Sequence, residues 1–296
     1  MIHREIKKAK QLLGKEVSAA LHERVKKDVA DLAAKNIVPK LAMVRVGENP
    51  GDIAYEKSAS KRCELLGVAY EKIGLDEKVP QDELLAVIQG LNEDADVHGV
   101  LLFRPLPAHL DQALIENALV PEKDVDCMTD LSMSGVMTGK PIGFPPCTAQ
   151  ACMEILDHYR IDCTGKRAVV IGRSLVVGKP AALMLIRKNA TVTVCHTRTI
   201  DVPAIAREAD ILITAAGRAG IIGAEHFRRG QTVIDVGINM DENGKLCGDV
   251  RFSEAELIVD AVTPVPGGVG TVTTGILIEH VVEAAKKSLR EHCNNL

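Results

Sequence analysis

Short runs of β-branched and aliphatic residues alternate along the chain with longer stretches whose apolar positions recur at helical spacing. This alternation is typical of a parallel sheet covered by helices on both faces, because parallel neighbours need a crossover between them. The charged N-terminal stretch, residues 1–27, predicts an amphipathic helix. The predicted strands cover residues 41–47, 68–75, 97–103, 166–172, 191–196, 211–217, 232–237 and 257–265. The predicted helices cover residues 53–66, 80–94, 110–118, 149–158, a stretch that ends near 188, and 273–291.

Residues 121–148 interrupt this pattern. They contain the runs PEKDVD, TGKPIG and FPPCT and are rich in Gly, Pro, Ser and Thr. Such a composition predicts a cleft loop and linker rather than a packed element. A second α/β unit follows the linker. At roughly 150 residues per domain, the 296 residues favour two domains.

Composition and charge exclude several classes of protein. Asp and Glu number 40 against 36 Lys and Arg, a net charge of −4, and the chain has no Trp, three Tyr and four Phe. It therefore lacks the basic face and the stacking aromatics of a nucleic-acid binder. No apolar run approaches the ~18 residues of a transmembrane helix, and the charged N-terminus is unlike a signal peptide. The eight Cys form no CxxC pair or zinc-type cluster, so we expect a cytoplasmic protein with reduced thiols and no metal site.

The run VVIGRSLVVGKP has the strand–turn–helix pattern of a phosphate-binding turn. Gly172 ends a predicted strand, Ser174 lies in the turn and Gly178 opens the following helix. Small residues at these positions let a phosphate approach the backbone N–H groups of a helix N-terminus. The spacing is one residue longer than G-x-G-x-x-G, and an ordinary turn between a strand and a helix would give the same pattern.

The end of the next strand indicates which dinucleotide binds. NAD sites usually place a carboxylate there for the ribose 2′-hydroxyl. This strand instead ends in His196, Thr197 and Arg198, and the first carboxylate is Asp201. Hydroxyl and cationic groups suit a 2′-phosphate, and Arg173 in the turn would add a charge-assisted contact. We therefore predict NADP rather than NAD; the alternative is that the arginines are solvated loop charges.

Two further segments carry candidate binding groups. The run TPVPGGVGTVT (263–273) fixes the backbone with two Pro and exposes N–H groups around three Gly. A rigid connector between domains would have a similar composition. The run KDVDC (123–127) presents the carboxylates of Asp124 and Asp126, which would either bind a ligand or cap a turn.

With these segments, the chain resembles the methylenetetrahydrofolate dehydrogenase/cyclohydrolase family. The resemblance runs through nearly the whole chain, and KDVD together with TPVPGGVG is highly specific. The matching segments are VGENP (46–50), Tyr55, PLP (105–107), KDVD (123–126), PCT (146–148), VVIGRS (169–174), VGKP (177–180), ATVTVCH (190–196), VIDVGIN (233–239), GDV (248–250) and TPVPGGVG (263–270).

The resemblance implies two α/β lobes with parallel sheets and a cleft between them, the second lobe being a Rossmann-like NAD(P)-binding domain. The implied first lobe covers 1–148 and, through a returning C-terminal helix, 273–296; the second lobe covers 149–272. The implied reaction passes a hydride from 5,10-methylenetetrahydrofolate to NADP⁺ or NAD⁺ and yields the 5,10-methenyl product. Bifunctional members then hydrolyse this product to 10-formyltetrahydrofolate, and members are commonly homodimers.

The resemblance also implies roles for individual residues. Tyr55 and Asp126 are implied to be catalytic and to bind the folate, Tyr55 by orienting its aromatic ring and Asp126 by holding the pterin. Substrate contacts are further implied for Pro266, Gly267 and Gly268. The implied cofactor-binding residues are Gly172, Arg173, Ser174, Val177, Gly178, His196, Thr197, Arg198, Gly217, Ile238 and Thr273.

Two departures from the family pattern fall on its hydrolytic residues. The family's catalytic helix carries Tyr and, four residues later, Lys, but the residue four positions after Tyr55 is Ala59. The Gln that precedes PLP by two residues in the family is Phe103 here. Lys57 and Lys61 lie about 200° and 240° round the helix from Tyr55, so neither replaces the missing Lys directly.

Cys127 and Thr271 also stand where the family has Gly and Pro. Hydride transfer needs mainly the positioning of two carbons, whereas hydrolysis needs a tuned acid or base. We therefore predict a dehydrogenase with weak or lost cyclohydrolase activity, which works beside a separate cyclohydrolase. The alternatives are a bifunctional enzyme whose base is Lys57 or a water held by Ser58, a non-catalytic folate- or nucleotide-binding paralogue, and an NAD(P)-dependent dehydrogenase of another small substrate.

Overall fold

The computed structural model describes residues 8–294. The strands, in chain order, are β1 (Lys10–Gln11), β2 (Lys40–Val46), β3 (Ala69–Leu75), β4 (Gly99–Leu102), β5 (Arg167–Ile171), β6 (Thr191–Cys195), β7 (Ile211–Thr214), β8 (Thr232–Asp235), β9 (Asn239–Met240), β10 (Leu246–Cys247) and β11 (Ala261–Val262). The α-helices are α1 (Gly14–Ala33), α2 (Pro50–Leu66), α3 (Gln81–Glu93), α4 (Gln112–Asn117), α5 (Asp130–Thr138), α6 (Cys147–His158), α7 (Gly178–Arg187), α8 (Val202–Arg207), α9 (Phe252–Ile258) and α10 (Thr273–Asn294).

The chain folds into two compact units, of which the first, the six-stranded unit, contains the described residues up to Ser18 and Thr148–Thr273. Its parallel sheet has the strand order β1-β11-β8-β7-β5-β6. The central strands β5 and β7 are almost wholly buried. Strands buried on both faces have near-continuous apolar sequences, which is why the sequence predicts both of them.

The N-terminal segment belongs to the six-stranded unit because β1 pairs in parallel with β11. The backbone N–H of Gly14 donates to the carbonyl of Gly267 at 2.8 Å, and the Ser18 hydroxyl donates to the carbonyl of Thr271 at 2.9 Å. The predicted first lobe, by contrast, begins at residue 1. A strand of two residues is too short to produce a periodic signal, and the boundary of the first lobe, which the family resemblance implies, stays a prediction.

The second unit, the three-stranded unit, contains Ala19–Cys147 and the chain from Thr274 onward. Its parallel sheet has the order β3-β2-β4. Helix α3 buries Leu84, Ile88 and Leu91, which recur at helical spacing on one face. These side chains form one core with Val44 and Leu102 of the sheet.

Glycines allow α10 to pack closely within the three-stranded unit. A Cβ atom on Gly99, the first residue of β4, would meet Val281 of α10 at 2.9 Å. A Cβ atom on Gly275, near the start of α10, would meet Leu21 of α1 at 2.7 Å. Both distances are shorter than real Cβ contacts, so the approach of α10 to the strand and to α1 requires glycine at these positions.

Three sequence predictions of secondary structure are wrong in part. Residues 121–148 are not a continuous loop, since they contain a short 3₁₀ helix, Pro121–Lys123, and helix α5. The predicted strand 257–265 shrinks to β11, because its first residues complete helix α9. The N-terminal helix begins at Gly14, and residues 1–7 of that prediction lie outside the described residues.

Residues 8–294 lack the features of two other kinds of site. Within this range no helix combines the length and apolar character needed to cross a membrane. In the same part of the chain, no three His, Cys, Asp or Glu side chains come together as potential metal ligands.

Candidate functional site

A cavity of about 310 Å³ lies at the carboxyl ends of β5, β6 and β7 in the six-stranded unit. The chain runs from β5 to β6 on one side and then to β7 on the other, so the strand order reverses at β5. Dinucleotides bind at such a switch point in open parallel sheets. Gly172 and Arg173 follow β5, His196 and Thr197 follow β6, and Ala215 follows β7, and all five line this cavity.

The turn after β5 depends on its glycines. Gly172 has φ +131°, and a Cβ atom there would collide with the carbonyl oxygen of Ala215. A Cβ atom on Gly178 would collide with the carbonyl of Gly172. The Ser174 hydroxyl accepts hydrogen bonds from the N–H groups of Val177 at 3.1 Å and Gly178 at 3.4 Å, at the start of α7. The turn is therefore a tight backbone cradle that no larger residue at position 172 or 178 would permit.

The cavity is lined by cations and by a hydroxyl. The sequence analysis identifies Arg173 and Thr197, and the structure adds Arg218, which follows β7 and lines the same cavity. Arg198 is exposed and does not line it; its backbone N–H donates to Nδ1 of His196 at 3.1 Å. The position of Arg218 just after a predicted strand was a signal available from the sequence.

Two buried carboxylates shape the loops around this edge of the sheet. Asp249 accepts hydrogen bonds from the N–H groups of Ala216 at 2.6 Å and Arg218 at 2.9 Å. Asp235 accepts from the N–H groups of Gly237 at 3.0 Å and Val250 at 3.0 Å. Burial raises the pKa of Asp235 to about 6, against the opposing effect of these hydrogen bonds. The carboxylates of the motifs VIDVGIN and GDV therefore hold the backbone of these loops in place.

A second cavity, of about 270 Å³, lies in the same unit and is lined by the PGGVG run. Pro266, Gly267, Gly268 and Ile238, which the sequence analysis assigns to binding, all line it. A Cβ atom on Gly268 would meet the carbonyl of Pro264 at 2.5 Å. The run is therefore folded too tightly for side chains, and it presents backbone to the cavity.

Besides Arg198, five predicted cofactor-binding residues lie outside the linings of these two cavities in the part of the chain that the structure describes: Ser174, Val177, Gly178, Gly217 and Thr273. Val177 and Gly178 stand at the start of α7, and Gly217 has φ +67° in the loop after β7. Thr273 begins α10, and its hydroxyl donates to the carbonyl of Gly270 at 3.3 Å. Their assignment to the cofactor stays a prediction.

Helix α2 of the three-stranded unit carries Tyr55 at the corresponding edge of its sheet. The order β3-β2-β4 reverses at β2, and the chain enters α2 soon after β2 and reaches Phe103 directly after β4. The rings of Tyr55 and Phe103 meet edge to face, with centroids 6.1 Å apart. Ala59 lies one helical turn after Tyr55 and is fully buried. Two apolar residues, Ala59 and Phe103, thus stand at the positions for which the resemblance implies Lys and Gln.

The two acidic residues of KDVD have different surroundings. Asp124 is buried, and its carboxylate accepts the N–H groups of Met128 and Thr129, each at 2.9 Å. This confirms for Asp124 the turn-capping role that the sequence left open. Asp126 is partly exposed, and one of its oxygens accepts the N–H of Cys147 at 3.2 Å, at the start of α6. Burial raises the pKa of Asp126, while Cys147 and Arg104 act in the opposite direction.

Tyr55 and Asp126 belong to one electrostatic neighbourhood. Burial raises the pKa of the Tyr55 phenol, and the adjacent Cys147 and Asp126 raise it further. His280 is buried, contacts Sγ of Cys147 at 3.8 Å and has its Nδ1 atom 2.8 Å from the carbonyl of Val125. Burial lowers the pKa of His280 to about 4. His280 is not predicted from the sequence, because it lies far along the chain from Tyr55, Asp126 and Cys147.

The glycine turn and the switch-point cavity define a dinucleotide-binding domain of the Rossmann type, joined in one chain to a second α/β unit. The chain belongs to the tetrahydrofolate dehydrogenase/cyclohydrolase family. Residues 12–126 match the family's catalytic domain, and residues 146–289 match its NAD(P)-binding domain. The family and the α/β fold class predicted from the sequence are thereby confirmed.

Known proteins agree with this assignment. The chain is 51% identical to the bifunctional protein FolD of Carboxydothermus hydrogenoformans, over 94% of this chain and 98% of the relative. The crystal structure of the bifunctional enzyme FolD of Campylobacter jejuni superposes with a TM-score of 0.92, at 42% identity over 94% of this chain and 99% of that one. The enzyme of Trypanosoma brucei, solved with NADP cofactor and inhibitor, has a TM-score of 0.89 at 33% identity over 96% and 99% of the two chains.

Proposed function

We propose that this chain is an NADP-dependent 5,10-methylenetetrahydrofolate dehydrogenase whose cyclohydrolase activity is weak or lost. The observation that carries the proposed loss of cyclohydrolase activity is the apolar character of two positions: Ala59, which is buried one helical turn after Tyr55, and Phe103, whose ring contacts that of Tyr55. Family membership supports the first part, since the family comprises tetrahydrofolate dehydrogenases and cyclohydrolases.

The dehydrogenase half requires little acid–base chemistry from the protein. The methylene carbon loses a hydride and becomes the methenyl carbon of a cation, and no proton moves. When bound, NADP⁺ supplies the hydride acceptor. The chain's own residues must bind, orient and exclude water. We propose that the Asp126 carboxylate binds the pterin by accepting hydrogen bonds from the pterin's N–H groups, and that Tyr55 orients the folate. Substrate contacts are also proposed for Pro266, Gly267 and Gly268.

The hydrolytic half requires a group that handles the protons of an attacking water. Position 59 lies on the buried stripe of α2, with Glu56, Ser60 and Cys63, and Ala offers no such group. Lys57 and Ser58 are exposed on the same helix. Phe103 has no hydrogen-bonding side-chain group, and its ring contacts that of Tyr55 edge to face.

The cofactor site supports NADP. Gly172 lets the turn after β5 close against the backbone of Ala215, where a Cβ atom would collide, and small residues in such a turn let a phosphate approach the backbone N–H groups. Arg173, Thr197 and Arg218 line the adjoining cavity, where they would bind a 2′-phosphate by charge-assisted hydrogen bonds. The Trypanosoma brucei relative was solved with NADP. NAD is the alternative cofactor.

A bifunctional enzyme is the second candidate function. The observation that favours it is the name of the relative that is 51% identical to this chain, a bifunctional FolD protein. In that case Lys57, after distortion of α2, or a water held by Ser58 would have to supply the base.

One assay separates the two functions. NADPH and the methenyl product are followed together during oxidation of 5,10-methylenetetrahydrofolate, and hydrolysis of purified methenyltetrahydrofolate is compared with the rate in buffer. We expect NADPH and methenyl product to rise in equal amounts, with hydrolysis at the buffer rate. Hydrolysis far above that rate would establish the bifunctional enzyme, and no NADPH formation would contradict both candidates.

Two further properties are proposed from the family resemblance. We propose that the chain forms a homodimer, which light scattering on the purified protein would test. We also propose that a separate cyclohydrolase consumes the methenyl product. A strain that lacks other cyclohydrolases should therefore not be rescued by this chain alone.

A further inference from the structure

Arg104 lies immediately beside the proposed folate-binding carboxylate. It follows Phe103 at the end of β4, and its side chain is 23% exposed. Its Nη1 atom contacts Oε1 of Glu116 at 3.1 Å, and its Nη2 atom lies 3.9 Å from Oδ2 of Asp126. The family resemblance assigns no role to this position.

A hydrogen-bonded chain holds the Arg104 guanidinium in place. Glu116, which accepts from Arg104, also accepts from Nε2 of Gln112 at 2.9 Å. The side-chain oxygen of Gln112 in turn accepts the backbone N–H of Leu106 at 3.3 Å. Glu116 is largely buried, with 15% of its side chain exposed. The guanidinium is therefore oriented by a fixed partner on one side, while its other side faces Asp126.

The Nη2 atom retains hydrogen-bonding capacity. A separation of 3.9 Å from Asp126 permits electrostatic attraction but is too long for a hydrogen bond. Nη2 of Arg104 donates no hydrogen bond to any protein acceptor among residues 8–294. A planar guanidinium carries five N–H donors in a fixed fork. Donors at Nη2 thus stand next to the acceptor oxygen of Asp126 and are available to a ligand.

The pterin of a folate has a matching edge. Its 2-amino group and N3–H are donors, and the 4-oxo group beside N3 is an acceptor. A carboxylate satisfies the two donors but leaves the 4-oxo group without a partner. We propose that Arg104 donates a hydrogen bond to the 4-oxo group of the pterin, and so determines specificity for 4-oxo over 4-amino pterins. This proposal rests on the proposed function, because it takes Asp126 as the pterin-binding carboxylate.

A purely structural ion pair predicts a different behaviour. If Arg104 only fixed Asp126 and Glu116, its removal would weaken every pterin equally, whatever the substituent at position 4. A direct bond to the 4-oxo group makes the loss specific to ligands that carry this acceptor. A 4-amino group is a donor and faces the guanidinium unfavourably, so its binding should not depend on Arg104.

The test compares tetrahydrofolate with its 4-amino-4-deoxy analogue by anaerobic titration calorimetry. The wild-type protein should bind tetrahydrofolate more tightly. In Arg104→Leu, tetrahydrofolate should bind roughly tenfold to a hundredfold more weakly, the range for a hydrogen bond to a charged group, while the analogue binds unchanged or more tightly. Arg104→Lys keeps the charge but loses the forked arrangement of N–H donors. Its preference for tetrahydrofolate over the analogue should therefore fall, but by a smaller factor than in Arg104→Leu. Arg24→Leu, which removes an exposed arginine paired with Glu279 in the same unit, is the matched control and should leave the preference unchanged.

The outcomes separate the two proposals. If the wild-type protein binds neither ligand, the proposed folate function fails and Arg104 loses its role with it. If tetrahydrofolate binds, but Arg104→Leu weakens both ligands equally or neither, the specificity role is overturned and the proposed function stands. If Arg104→Leu does not fold by circular dichroism, Arg104→Lys decides: a preference equal to that of the wild-type protein overturns the proposal.

Discussion

The six-stranded and three-stranded units place their candidate sites at the same kind of position but build them from different parts of the chain. Each site follows the carboxyl ends of parallel strands where the strand order reverses. In the six-stranded unit, tight glycine turns and backbone N–H groups form most of the site. In the three-stranded unit, the site consists of the side chains of Tyr55, Phe103, Arg104 and Asp126.

This difference shows which kind of site can change its chemistry without changing the fold. A larger residue fits at position 172 or 178 only if the neighbouring backbone moves. Helix α2, by contrast, is defined by its ends: Asn49 caps its first N–H groups, and Gly67 ends it with φ 75°. Substitution of Ala for Lys at position 59 leaves both ends intact, so a catalytic group can disappear while the unit folds as before.

The largest expected effect comes from restoring the missing side chains. Ala59→Lys together with Phe103→Gln should raise hydrolysis of methenyltetrahydrofolate above the wild-type rate by about a hundredfold or more, since general acid–base catalysis contributes ~10²–10⁴. Ala59→Lys alone should give weak hydrolysis, because Phe103 cannot orient the amine and residues that act as a unit are non-additive. Loss of methenyl absorbance measures the rate.

The matched control for this experiment is Ala59→Met with Phe103→Gln, which adds length at position 59 but no amine. It should hydrolyse at the wild-type rate. A thermal melt of each variant checks folding, because a lysine on the buried face of α2 is destabilising if it finds no partner. Equal rates in the lysine and methionine variants would show that a lysine at position 59 does not determine the rate of hydrolysis.

The next largest effect tests the backbone-built site. Gly172→Ala should weaken NADP binding by at least about a hundredfold, because the new Cβ atom collides with the Ala215 carbonyl and positive φ disfavours alanine. Tetrahydrofolate binding should persist. Gly244 also has a positive φ, +72°, but no atom lies within 4 Å of its Cβ position, so Gly244→Ala should leave NADP binding unchanged. Calorimetry with NADP and with tetrahydrofolate measures the two dissociation constants. An equal loss of NADP affinity in both variants would contradict the proposal that the turn at Gly172 binds the cofactor.

The sequence predicts the backbone-built site well because its constraints are local. A continuous apolar strand, a turn with Gly172 and Gly178, and a following helix all lie within about twenty residues. The burial of β5 and the collisions at both glycines follow from the same short segment. The residues that follow the neighbouring strands reach the cavity because parallel strands end at one edge of the sheet.

The sequence predicts less where distant contacts decide the structure. Helix α5 has one glycine and two serines, which favour loops. Thr129 nevertheless caps it by accepting the N–H of Ser132, and Gly135 is required by the close approach of the Ile142 carbonyl. The pairing of Arg104 with Asp126 joins two loops that sequence patterning cannot align. Such side-chain relations depend on tertiary structure, so the sequence gives the candidate residues but not their geometry.

A smaller effect is expected at Asp126, the carboxylate proposed to bind the pterin. Asp126→Asn should weaken tetrahydrofolate binding by roughly tenfold to a hundredfold, because the amide retains one acceptor for the Cys147 N–H but loses the second acceptor. Stability should change little. Asp124→Asn should behave in the opposite way, losing stability with little change in affinity, since Asp124 is buried and accepts two backbone N–H groups. Calorimetry measures the affinity for tetrahydrofolate, and thermal melts measure the stability of each variant. If folded Asp126→Asn bound tetrahydrofolate as tightly as the wild-type protein, Asp126 would not be part of the folate site.

The smallest expected effect tests the side-chain contribution to the backbone-built site. Arg173→Ala should raise the KM for NADP⁺ about tenfold, the lower end for a charge-assisted hydrogen bond, because Arg173 is exposed at the cavity. The KM for NAD⁺, which lacks the 2′-phosphate, should stay nearly constant. Arg187→Ala, an exposed arginine at the end of α7, should leave both constants unchanged. Because the Gly172 cradle would remain, the variant should still oxidise 5,10-methylenetetrahydrofolate with either cofactor. Equal losses with NADP⁺ and NAD⁺ would show that Arg173 contacts a part common to both cofactors, and preference for NADP would then have to come from Thr197 or Arg218.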